Sequence, residues 1–145
     1  MDKKGFSLVE LIIATSIILI MTAVATPLIA QLAPHYRLSG ASRELTAALR
    51  ETQSLSVTKQ NNYITRFSQA NRNYSIIQVV DGVESIQETI ALPRSITFPN
   101  INLTNSQITF TPSGAPLNSG TVILGNNREE NITVDIAPSG QIKAY

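Results

Sequence analysis

From Leu11 to Ala33 the chain is apolar and carries no charged residue. At 1.5 Å per residue this is about 34 Å of helix, against a hydrocarbon core of about 30 Å, so the run predicts a membrane span. Pro27 and Pro34 each lack a backbone donor and crowd the preceding turn, so bends are expected at both, and Pro34 with Gly40 leaves open whether one helix continues. Leu38, Ala41, Leu45, Ala48, Leu49, Thr52 and Leu55 then recur every three or four residues, with Arg43, Glu44, Arg50 and Glu51 off the stripe. That spacing predicts an amphipathic helix over 37–60 with one buried face.

Beyond Asn61 the pattern changes to short strand-like runs broken by turn residues. Strands are expected at Tyr63 to Ser68, Tyr74 to Val80, Val83 to Leu92, Ser95 to Phe98, Ile108 to Thr111, Thr121 to Leu124, Ile132 to Ala137 and Gln141 to Tyr145. Asp81-Gly82 is the strongest hairpin signal, because a two-residue primed turn needs positive φ at both positions. A near repeat follows: Ile108-Thr109-Phe110 leads to Pro112-Ser113-Gly114 and Leu117, and Ile132-Thr133-Val134 leads to Pro138-Ser139-Gly140 and Ile142. Two strand-turn-strand units are implied. The expected class is α+β, a long transmembrane and amphipathic helix followed by a small antiparallel β-rich head over 61–145.

Charge sharpens this division. Apolar residues make up 43% of the 145, but many lie in the N-terminal run and cannot build a globular core. Arg37, Arg43, Arg50, Lys59, Arg66 and Arg72 against Glu44 and Glu51 give the 37–72 segment a net +4. Arg94, Arg128 and Lys143 against Asp81, Glu84, Glu88, Glu129, Glu130 and Asp135 leave 73–145 at −3. Such a split suits packing of the basic part of one copy against the acidic part of another, or simply two solvated faces. Lys3 and Lys4 precede the apolar run, so the positive-inside rule leaves the N-terminus in the cytoplasm and the head outside. Glu10 stands at the mouth of the span, where an unpaired carboxylate calls for a partner.

Lys4-Gly5-Phe6-Ser7-Leu8-Val9-Glu10 before an apolar helix resembles the class III signal of type IV prepilins and type II secretion pseudopilins. The resemblance implies a leader of residues 1–5, removed by the prepilin peptidase between Gly5 and Phe6, and N-methylation of the new Phe6 amine. Residues 6–36 would form the transmembrane and filament-core helix. It further implies that Glu10 pairs with the Phe6 amine of a neighbouring subunit; removal of one partner from a buried ion pair costs about 3–5 kcal/mol, which makes Glu10 a registry device. Pro27 matches the proline common in pilin helices, whereas Pro34 is less usual. The strand-rich head with its two Gly turns is similar to the GspH/FimT-like branch of minor pilins and pseudopilins.

Other readings start from specific residues. Ala23-Val24-Ala25 is an A-x-A site, so an ordinary cleaved signal before a secreted β-domain is one; Glu10 and the apolar run past the cut, through Leu28, Ile29 and Leu32, speak against it. Lys59, Arg66 and Arg72, interleaved with Tyr63, Phe67 and Tyr74, are candidate DNA contacts of an uptake pilin; alternatively the aromatics point into the core. His35, the single histidine, has no cysteine or carboxylate near it in sequence, so no metal or general-base role is expected. No enzyme and no cofactor are expected. The expected function is a minor pilin or pseudopilin of a type IV pilus or type II secretion filament, the alternative being a major pilin of the fibre. Its implied partners are other pilin subunits, the prepilin peptidase, the inner membrane and the assembly platform there.

Overall fold

The computed structural model describes residues 7–145, the side chain of Leu28 excepted. One helix, α1 (Leu8–Lys59), is followed by β1 (Asn62–Ser68), β2 (Asn73–Val80), β3 (Val83–Ala91), β4 (Ile96–Asn102), β5 (Gln107–Phe110), β6 (Gly120–Asn126), β7 (Asn131–Ile136) and β8 (Ile142–Ala144). Helical structure continues through Pro27, Pro34 and Gly40, which settles the continuity left open at Pro34. A proline deletes one rung of the ladder while its neighbours keep theirs. The chain divides into two compact units, residues 1–33 and 34–145.

In the first unit, Leu8–Pro27 is long and apolar enough to cross a membrane, and none of it is buried. Its hydroxyls turn back on the helix. Thr15 donates to the Leu11 carbonyl at 2.9 Å, Ser16 to Ile12 at 2.7 Å, Thr22 to Ile18 at 2.8 Å and Thr26 to Thr22 at 2.7 Å. Each of these hydroxyls is thereby satisfied within the segment.

The second unit holds two antiparallel sheets, ordered β3-β2-β1-β5 and β4-β6-β7-β8. Leu38, Ala41, Leu45, Ala48, Leu49 and Thr52 of α1 are buried, and Leu55 packs at the edge, while Arg43, Glu44, Arg50 and Glu51 face solvent. Between helix and sheets lies one apolar cluster, drawn from Leu38 to Ile142, so this unit carries its own core. Phe67 of β1 meets Phe98 of β4 edge to face at 5.7 Å, joining the two sheets.

Asp81 (φ 50°) and Gly82 (φ 80°) form the expected primed turn between β2 and β3. Two expectations need correction. β4 runs past Phe98 to Asn102, because a register shift between Thr97 and Asn100 accommodates Pro99. Of the two repeated units, only β7–β8 is a true strand pair; after β5 the chain returns through a single bridge, Phe110 to Pro116. Pro116 has no N–H to extend a ladder, and Leu117 is exposed where Ile142 is buried.

Candidate assembly surfaces

Two surfaces stand out, one on each unit. On the first, Leu8, Val9, Leu11, Ile12, Ile13, Ile17, Ile18 and Leu19 are 53–74% exposed, with the small residues Ala14, Thr15 and Ser16 among them. An apolar surface of this extent is stable only in lipid or against other apolar helices, and small residues let helix backbones approach closely. Glu10 lies within it, in the first turn of α1, exposed. Gly5 and Phe6, where cleavage and methylation are expected, lie outside the described residues.

The second surface belongs to the head, and it was missed at the level of sequence. The turns after β5 and β7 are built alike: Thr111 N–H donates to Ala115 at 2.9 Å and Gly114 to Thr111 at 2.8 Å, while Ala137 donates to Gln141 at 2.9 Å and Gly140 to Ala137 at 2.9 Å. Gly114 (φ 80°) and Gly140 (φ 82°) take the same left-handed conformation. Both turns come up to α1, where the Gln53 amide donates to the Gly114 carbonyl at 2.7 Å and to the Gly140 carbonyl at 3.2 Å. Beside this junction is a cleft of about 500 Å³, walled by Arg50, Gln53, Ser54 and Val57 of α1 and by the turn residues Ser113, Gly114, Ala115 and Ser139. The repeated Pro-Ser-Gly was the visible signal; that both copies converge on one glutamine was not.

The expected nucleic-acid residues are engaged or scattered. Arg66 donates to both oxygens of Glu84, at 2.9 and 2.8 Å, and to Gln107 at 3.0 Å. This hydrogen-bonded pairing holds the Glu84 carboxyl below its ordinary range and raises the Arg66 guanidinium further. Arg72 donates to the Arg94 carbonyl at 2.8 Å, and Lys59 is exposed at the last turn of α1. Tyr63, Phe67 and Tyr74 are 3%, 4% and 1% exposed, so their rings serve the core. His35 lies 3.6 Å from Glu130 and edge-on to Tyr36. Among the described residues no group of three or more His, Cys, Asp or Glu side chains could hold a metal ion.

Residues 41–140 match the family described as type II transport protein GspH, and residues 1–26 match the prokaryotic N-terminal methylation motif. The fold is similar to that of the minor pseudopilin EpsH from the type II secretion system of Vibrio cholerae, at a TM-score of 0.65 and 11% identity, over 75% of this chain and 96% of that one. It is also similar to the type IV minor pilin FimU of Pseudomonas aeruginosa, at a TM-score of 0.63 and 18% identity, over 77% of this chain and 90% of the other. No curated protein sequence matches the chain.

Proposed function

The chain belongs to the GspH family of type II transport proteins and is a structural subunit of a type II secretion or type IV pilus filament; from that premise we propose how it is anchored, processed and kept in register. Residues 8–27 anchor the subunit in the inner membrane, with Lys3 and Lys4 on the cytoplasmic side and the head on the other. The prepilin peptidase cuts between Gly5 and Phe6, and Phe6 is N-methylated. Residues 1–5 are thus a leader, 6–36 the filament-core helix, 37–60 the spine of the head and 61–145 the β-rich head. Pro27 and Pro34 are the places where the helix bends. The assembly platform in the inner membrane then delivers the subunit to other pilins as a minor component.

One observation carries this reading: the apolar surface around Glu10 is uncovered, while the core of 34–145 is complete without it. In such surroundings the Glu10 carboxylate finds its partner in the Phe6 amine of a neighbour, and a subunit out of register leaves it unpaired at a cost of about 3–5 kcal/mol. Mass spectrometry of the mature chain tests the processing: loss of residues 1–5 with one added methyl is expected, and a chain beginning at Thr26 would contradict it. A Glu10→Ala chain is expected to be processed yet fail to enter sheared filaments. Normal incorporation of that variant would remove the registry role.

A further inference from the structure

We propose that the cleft beside Gln53 receives a carboxylate side chain from the head of a neighbouring subunit, an inference that rests on the filament-subunit reading. The cleft holds one full positive charge, Arg50, and no carboxylate among its lining residues. Among the described residues Arg50 makes a single hydrogen bond, to the Ile142 carbonyl at 3.4 Å, and no acid pairs with it. Most of its five donors therefore face the cleft or solvent, in the planar fork that matches a carboxylate. The Ser54 and Ser139 hydroxyls make no side-chain hydrogen bond among the described residues, so further donors are at hand.

The site is held in shape before anything binds. Gln53 fixes both turns, and a Cβ on Gly140 would stand 2.8 Å from the Gln53 amide nitrogen and 3.2 Å from the Gly114 carbonyl oxygen. The two turns are thus packed as closely as glycine allows, which sets the Ser113 and Ser139 rims at fixed positions. Val57 and Ala115 add short apolar walls suited to the methylenes of a glutamate or aspartate side chain.

The carboxylate comes from another head for two reasons. Among the described residues no acid lies within ion-pair distance of Arg50, although the segment from Asn73 onward is acidic and places Asp81 on an exposed hairpin tip. An exposed ion pair is also too weak to retain a free monocarboxylate, whereas a filament holds neighbouring heads at high effective concentration. The contact orients one head on the next; the helix surface supplies the attachment.

The chain has no cysteine, so Ala115→Cys places a unique thiol at the rim of the cleft. Full-length Ala115→Cys protein, assembled in cells, is sheared off with its filaments and treated with a maleimide–hydrazide cross-linker and a carbodiimide. The expected product is a covalent adduct between Cys and an Asp or Glu of another subunit, mapped by peptide mass. Adding Arg50→Ala is expected to lower its yield at least fivefold, and Arg50→Lys, which keeps the charge without the fork, to lower it less. Filaments that contain the Ala115→Cys chain but give no adduct to a neighbour's carboxylate, or an equal yield with Arg50→Ala, overturn the proposal. Absence of the chain from filaments overturns the filament reading and this inference together.

Discussion

The Thr65 hydroxyl of β1 donates to the Thr52 hydroxyl of α1 at 3.0 Å, and both side chains are fully buried. Thr52 passes its own proton on to the Ala48 carbonyl at 2.8 Å, so the link between sheet and helix is a satisfied chain of hydrogen bonds. Thr52→Val strands the Thr65 hydroxyl in the core and is expected to cost about 1–3 kcal/mol. Thr52→Val with Thr65→Val removes both partners and is expected to lie close to the parent. Denaturant unfolding of the 34–145 unit, which contains the whole core, measures the cycle; additive losses would mean the two hydroxyls are not coupled.

Two glycines are expected to answer a Cβ with opposite signs. Gly40 is helical, and a Cβ there meets nothing within 4 Å, so Gly40→Ala gains helix propensity of up to about 1 kcal/mol. Gly140 has φ 82°, and its Cβ would press on Gln53 and Gly114. Gly140→Ala is expected to cost about 1–2 kcal/mol from backbone conformation, with the crowding added. Thermal melting of both variants checks the pair.

The Tyr74 hydroxyl is buried and has no hydrogen-bond partner among the described residues. Burial first, then the nearby Glu44 and Glu88 charges, push its ionisation well above the ordinary tyrosine value. A phenol that neither ionises nor bonds contributes only the cost of its desolvation. Tyr74→Phe keeps the ring beside Phe67 and is expected to be neutral or to stabilise by about 1 kcal/mol. A loss above that size would show that the hydroxyl is paired.

Glu84 supplies a pH dependence of defined sign. Its folded pKa is depressed by Arg66, so its contribution is fully present above the ordinary carboxylate value of 4.5 and is lost as pH falls through the lower, folded value. The pair is exposed, so the effect is small and weakened by salt. Melting temperatures of parent and Glu84→Gln are expected to converge as pH drops below 4.5 and to separate above it. A constant gap across that range would assign the difference to something other than ionisation.

Local chemistry was legible where it repeats with the period of an element. The stripe from Leu38 to Leu55 announced the buried face of α1, and Asp81-Gly82 announced its hairpin, because each signal sits inside one element. Pro99 within β4 and the missing partner strand after Phe110 were not legible, since a bulge and a lost ladder depend on what lies alongside. The Gly5–Phe6–Glu10 motif pointed to the function before any coordinates, whereas the cleft was hidden because Arg50 and Ser139 are far apart in the chain. The pairing of Arg66 was not legible either: its partner, Glu84, lies across an intervening strand, beyond the reach of sequence spacing.

Back-bonding of Thr15, Ser16, Thr22 and Thr26 makes the hydroxyls of residues 8–27 indifferent to what surrounds them. On the reading proposed above, none of these hydroxyls has to exchange a partner when acyl chains are replaced by neighbouring helices. Glu10, the one charged side chain of residues 8–27, is on that reading where the two environments differ electrostatically. The helix then exchanges one apolar environment for another with its hydroxyls already bonded, and the carboxylate is the group whose pairing changes.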